Sequence, residues 1–304
     1  MTNPRLTRRS AIALAVAGLA GCTTSFGDEE ADDDGTDIDD SRSDHESSPE
    51  GREEHIPDRD IEPDWESAAP FRSWLLFDTP VDGGNRRFDY TEQFPDTVDL
   101  EGVLPEFTGL GLEEVDGHLV QGFTQVFFGS FDPEAITDAA ADAETAEFDD
   151  IYEGYAVITE TLPDETTRTV AVGTDAIVIG DDYEARIDAN LGYGDRLEDV
   201  DPEFTHLFEQ FPHETTITGE YDAPAGVLEM PEIYLWGVSS ESPTAEEMTW
   251  VFIFEDEADL SEETLSDLEA VAGDVLEADR EGRTATIVGA APEIDEEMAP
   301  GESD

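Results

Sequence analysis

Three histidines, His118, His206 and His213, stand in the apolar-rich part of the chain, and Glu209 follows His206 by three residues. On a helix that spacing places both side chains on one face, where a carboxylate could orient an imidazole base or help it hold a metal. The commoner use of such a pair is a weak surface ion pair, which is the reading the context favours. The helical two-histidine pattern of zinc proteases is missing. Gly237-Val238-Ser239-Ser240-Glu241 lacks the second glycine of a nucleophile elbow and reads as the end of a strand. Tyr234, Trp236 and Trp250 could form a sugar-stacking platform, but they lie in apolar runs that suit a core better.

The chain contains no Lys, and its one Cys is Cys22. A P-loop, a Schiff base and a Ser-x-x-Lys pair each need the missing amine. Thiol catalysis, Cys-ligated zinc and iron–sulfur clusters need thiols that the folded part lacks. Two well-placed carboxylates suffice for general acid–base catalysis, yet 79 Asp and Glu make any one pair indistinguishable from solvated surface. The Asp-rich stretch around Gly35 has Ser41 where an EF-hand needs its closing Glu, so a loose cation atmosphere is expected there and not a calcium loop. No catalytic, cofactor-binding or metal-ligating residue is nominated, and no cofactor is expected.

The first 22 residues carry the most specific signal. Arg8 and Arg9 precede an apolar run from Ala11 to Ala20, which ends in Leu19-Ala20-Gly21-Cys22. Basic segment, apolar segment and small residues, in that order, make a signal peptide. The apolar run has roughly 10 residues against the roughly 20 of a membrane-spanning helix, so it is not expected to remain as a span.

Paired Arg8 and Arg9 resemble a twin-arginine (Tat) export signal, a route that moves proteins already folded. Leu19-Ala20-Gly21-Cys22 resembles the lipobox of lipoproteins. Together with an acidic spacer and a Lys-free acidic domain, the pattern is similar to Tat-exported lipoproteins of halophilic archaea. The match is at motif level for residues 1–22 and compositional beyond them. It implies cleavage before Cys22, lipidation of Cys22, and anchoring to the outer face of the cytoplasmic membrane, with the remainder extracellular. The family resemblance implies no activity.

The formal net charge is −65. Such self-repulsion opposes a compact state, unless concentrated salt screens it: the Debye length is about 3 Å at 1 M. The 16 Phe, 7 Tyr and 4 Trp concentrate in periodic segments after residue 70 and argue for a core. A polyanion repels phosphates, so nucleic acid is not an expected partner.

The elements that would position any chemistry begin at residue 70. Residues 1–21 read as the signal peptide, 22–69 as a lipidated, acidic, disordered tether, 70–200 and 201–292 as two α+β halves, and 293–304 as an acidic tail. Strands are expected at 73–77, 120–128 (with a bulge at Gly122), 155–160, 167–172, 176–179, 215–221, 227–230, 233–238, 249–254 and 284–288. Asp132-Pro133-Glu134 and Asp201-Pro202-Glu203 carry the cap, first-turn Pro and acidic residue of helix starts. A further short helix is expected over 182–191, and a long one over 262–279. Val126-Phe127-Phe128 and Val251-Phe252-Ile253 each precede a helix and a further strand. The fold class expected is α+β: antiparallel sheets with helices packed on one face, as two ferredoxin-like strand–helix–strand halves.

A good core without a chemical constellation points to a cell-surface lipoprotein with a non-catalytic binding or structural domain, and not to an enzyme. The partner would be a protein or envelope component, besides the membrane reached through Cys22. An extracellular hydrolase using carboxylates or a weakly held metal is one alternative, and a solute-binding lipoprotein of a transport system is another.

Overall fold

A computed structural model describes residues 56–57, 59–77, 86–94, 103–224, 227–228 and 230–291. Arg8, Arg9, Cys22 and the acidic tail lie outside the described residues. Among the described residues, twelve strands form one antiparallel sheet: β1 (Arg87–Thr91), β2 (Val115–Gln121), β3 (Thr124–Gly129), β4 (Ala146–Tyr152), β5 (Tyr155–Thr161), β6 (Thr167–Val172), β7 (Ala176–Ile179), β8 (Thr216–Tyr221), β9 (Ile233–Ser240), β10 (Glu247–Phe254), β11 (Val275–Glu281) and β12 (Thr284–Ala290). Their order across the sheet is β11-β12-β10-β9-β8-β1-β2-β3-β7-β6-β5-β4. The helices are α1 (Pro133–Asp142), α2 (Tyr183–Leu191), α3 (Leu197–Val200), α4 (Pro202–Gln210) and α5 (Glu262–Leu268). Among the described residues no helix is long and apolar enough to cross a membrane.

The α+β class holds, with two corrections to the expected architecture. Strands from the two expected halves share a single sheet, joined where β1 pairs with β8. Helices also cover both faces. Ile187 of α2 and Phe204, Leu207 and Phe208 of α4 pack with Leu119, Val126, Leu235 and Val251. Ile136 of α1 packs with Phe127, Ile158 and Ile177, and Leu268 of α5 packs with Trp236, Phe252 and Ile287. Neighbours along a strand point to opposite faces. Val126 and Phe127, or Val251 and Phe252, therefore serve opposite layers. The strands are apolar on both sides because both sides are covered.

The expected strand–helix–strand units take a different form from ferredoxin-like halves. In β3–α1–β4 and β10–α5–β11 the helix leads to the outermost strand of the sheet, and the chain then works inward to pair with β3 through β7, or with β10 through β12. The registers of the two halves correspond around the pair Asp89↔Thr218. Val120 and Val238 flank that pair, followed by Gln125 and Trp250, then Ile179 and Ile287. In this correspondence Thr124-Gln125-Val126-Phe127-Phe128 falls on Thr249-Trp250-Val251-Phe252-Ile253.

Further differences have local causes. The expected strand 73–77 is a 3-10 turn, Pro70–Trp74, followed by an extended stretch. The Gln121 side chain takes the place of a neighbouring strand there, accepting from the Leu76 amide at 3.0 Å and donating to its carbonyl at 2.8 Å. Gly122, expected as a bulge, turns the chain between β2 and β3 with φ 61°. No strand forms at 227–228 or 230, and exposed Val227 donates its amide to Pro224 in a turn. The long helix expected to residue 279 stops at Leu268 and, after a 3-10 turn to Val271, gives way to β11. Gly273 and Asp274 there exchange backbone hydrogen bonds with Ala290.

Candidate functional site

α3 and α4 bring three buried carboxylates within six residues. Pro202 fits the first turn of α4, and Asp201 caps it by accepting from the Glu203 amide at 3.0 Å. The other Asp201 carboxylate oxygen accepts from Tyr221 and Tyr234 hydroxyls, each at 2.7 Å. Both tyrosines come from β8 and β9 beneath the helix. Burial raises the Asp201 carboxyl above the usual carboxylate range, against the pull of those two hydroxyls and the backbone amide, and nearby Glu203 adds to the rise.

Glu198 and Glu203 flank it with cations. Arg72 faces Glu198 with two nitrogens, Nε at 2.8 Å, and Thr205 adds its hydroxyl at 2.8 Å. Glu203 is fully buried and lies between two guanidinium groups: Arg59 reaches Oε1 at 3.1 Å and Arg283 reaches Oε2. The fourth buried carboxylate, Glu160, is held by Arg168 at 2.6 Å. All four are thus closed by partners from within the domain, as uncompensated buried charge would be strongly destabilising.

Arg186 forms a second polar centre. It is among the largest fully buried side chains of the protein. It donates to Asp182 at 3.0 Å, to the Trp74 carbonyl at 3.0 Å, and to the side chain and carbonyl of Gln121 at 2.7 and 3.1 Å. A guanidinium, with five donors in a fixed fork, can satisfy this many acceptors at once. Asp182 also accepts from Thr124.

The opposite face has a polar middle over β1 and β8. Arg87 pairs with Asp89 at 2.8 Å and lies 3.6 Å from Glu220, while Thr218 donates to Asp89 at 2.6 Å. Burial raises the Glu220 carboxyl. At register-equivalent positions on β2 and β9 stand His118, stacked on Phe127 at 4.3 Å, and Trp236, stacked on Phe252 at 6.4 Å. His118 Nε2 lies 3.0 Å from Gln125, whereas His118 Nδ1 and Trp236 Nε1 are buried without a hydrogen-bond partner. Burial pulls the His118 imidazole down to about 4, so it is neutral at ordinary pH.

The residues weighed in the sequence do not assemble into a catalytic group. His206 bonds to Thr284 at 2.8 Å. Tyr234, Trp236 and Trp250 lie in the core, and Ser239 and Ser240 end β9. Among the described residues, no cluster of three or more His, Cys, Asp or Glu is placed to hold a metal ion. A shallow depression of about 380 Å³ beside α5, lined by Met230, Glu232, Ala258, Asp259, Ser261, Thr264 and Asp267, is open to solvent. Sequence reasoning missed the buried Arg–carboxylate pairs. The scarcity of Arg beside so many acids was the available signal, since each cation in such a chain has many possible partners.

No family model matches the chain, and no curated protein matches it. Three solved crystal forms of TP0453 do align with it. Form III covers 75% of this chain and 96% of that one at 10% identity, with a TM-score of 0.39. Form I covers 74% and 95% at 11% identity, with a TM-score of 0.38. A likeness this shallow leaves function to the residues themselves.

Proposed function

We propose that this protein is a lipid-anchored cell-surface protein whose folded domain binds or scaffolds and does not catalyse. One observation carries the non-catalytic reading. The buried carboxylates, which would be the candidates for acid–base chemistry, are committed to arginines, tyrosines and hydroxyls that hold the fold. Asp201 is engaged by Tyr221, Tyr234 and a backbone amide, and Glu203 by Arg59 and Arg283. The anchoring reading is supported by Arg8, Arg9 and the sequence Leu19-Ala20-Gly21-Cys22, in the order an export and lipidation signal requires.

Cys22→Ser tests the anchor. The wild type is expected in the membrane fraction, released by detergent but not by salt. The variant is expected in the medium or as an uncleaved precursor. Unchanged detergent-dependent retention of the variant would remove the basis for the proposal.

A further inference from the structure

Residues 59–77 approach the sheet as a strap fixed at successive points. Arg59 Nε reaches Glu203 at 3.1 Å, and its Nη2 donates to the Glu255 carbonyl at 2.9 Å. Trp65 donates to Asp199 at 3.1 Å, with the Arg196 guanidinium 4.3 Å above its ring. Arg196 in turn donates to the carbonyls of Ala189 and Asn190 at the end of α2. Ser73 then bonds to Asn190 at 2.8 Å, and the Leu197 amide donates to Leu75 at 2.8 Å. Phe71, Trp74 and Leu75 finish the path in the core, where Phe71 stacks on Tyr90 at 4.1 Å. The stretch 59–69, assigned to the spacer by its composition, therefore makes its own contacts with α3, α4 and the end of β10.

We propose that this strap is a built-in buckle: Arg59, locked onto the buried Glu203, fastens residues 59–69 to the domain, so that any N-terminal tether starts upstream of it and not at residue 70. The chemistry of Glu203 supports the assignment. Its carboxylate is fully buried, and Arg283 occupies one oxygen while Arg59 occupies the other. Arg59 is itself 36% exposed at the side chain. It can therefore leave without opening the core, but its departure uncovers one buried oxygen of Glu203. The bond to the Glu255 carbonyl adds a link that does not depend on a second charge. The fastening thereby sits at the end of the sheet where β10 finishes and β12 begins. This inference rests on contacts among described residues and stands apart from lipidation of Cys22.

Hydrogen–deuterium exchange on the full chain tests it, comparing a peptide spanning 60–69 with one spanning 249–254 of β10. In the wild type the Ser67 and Ala68 amides within 60–69, both bonded to the Asp64 carbonyl, should exchange at least about tenfold more slowly than in the denatured chain. Arg59→Ala should return them toward the denatured rate while the β10 peptide stays protected. If Arg59→Ala opens β10 as well, Trp65→Ala, which loses the bond to Asp199 of α3 and the stack under Arg196, becomes the deciding variant, with the same outcome expected. Denatured-rate exchange of 60–69 in the wild type, or unchanged protection in both variants, would overturn the buckle. Retention of the protein in membranes is unaffected by either result.

Discussion

Asp201 and His118 are both buried titratable groups, yet protons act on them with opposite sign. The Asp201 carboxyl is raised by burial, so the folded state holds a proton over a pH range where the unfolded chain has lost it. Stability from this group is complete below the unfolded value and falls as pH rises through the folded one. The His118 imidazole is depressed to about 4 by burial, so between 6.5 and 4 the unfolded chain takes up a proton that the fold refuses. Stability from His118 is present above 6.5 and falls as pH drops through that window. Melting temperatures measured from pH 4 to 7 should separate the two. Asp201→Asn should remove a loss that grows with rising pH, and a His118→Phe, Gln125→Leu pair should remove a loss that grows with falling pH. A variant whose melting curve keeps the wild-type slope would contradict the assignment for that residue. Arg186 sets the scale for the polar centres. Arg186→Met keeps bulk but strands Asp182 and Gln121, and should cost about 3–5 kcal/mol in thermal unfolding, as when one partner of a buried pair is removed. A loss below about 1 kcal/mol would show that those acceptors find other partners.

The helix α4 lies close to the sheet because two glycines face each other beneath it. Gly219 of β8 pairs with Gly237 of β9. A methyl at Gly237 would come within 2.7 Å of the Phe211 ring and 2.8 Å of the Thr218 carbonyl oxygen, and one at Gly219 would meet the Phe88 ring at 2.5 Å. Backbone cannot yield as a side-chain tip can, so Gly237→Ala should cost about 1–3 kcal/mol by overpacking. An unchanged melting temperature would mean that α4 does not press on Gly237. Some of these elements can be read from the chain and others cannot. Asp132 and Asp201 mark their helices correctly because caps and first-turn prolines are local chemistry, and both accept the expected amide. β5 to β7 were legible because short runs rich in β-branched residues are bounded there by turn residues. β4 and β11 were not, since an edge strand exposed on both sides carries no alternation: β4 reads Glu147, Asp149 and Asp150 around Phe148 and Ile151. Val275 fits a helical stripe by spacing, yet it opens β11 and is 38% exposed. Of the candidate site, the caps were legible and the ion pairs were not. Pairs such as Arg72 with Glu198 join residues 126 apart, and no local pattern records such a distance.

Across the molecule, charge is expected to set the conditions under which these elements assemble. Both outer strands are acidic and each carries a register shift, two features that discourage edge-to-edge pairing. The surface beyond them shares a net charge of −65 across the chain. In ~1 M salt the Debye length, about 3 Å, is shorter than the roughly 4.8 Å between neighbouring strands. Carboxylates on adjacent strands then scarcely interact, and the aromatic core meets little opposition. In ~0.01 M salt the length is about 30 Å, comparable with the domain itself, so every surface carboxylate repels most others. The buried pairs of Glu198 and Glu203 are screened far less and cannot offset that change, because they persist in both conditions. Far-ultraviolet circular dichroism and tryptophan emission should therefore report loss of the fold as salt is lowered across this range. Asp149→Asn with Asp150→Asn, removing two charges from an exposed edge without touching the core, should move the midpoint to lower salt. Equal structure at both ends of the range, or a midpoint that the double variant leaves in place, would show that the fold withstands its own charge without screening.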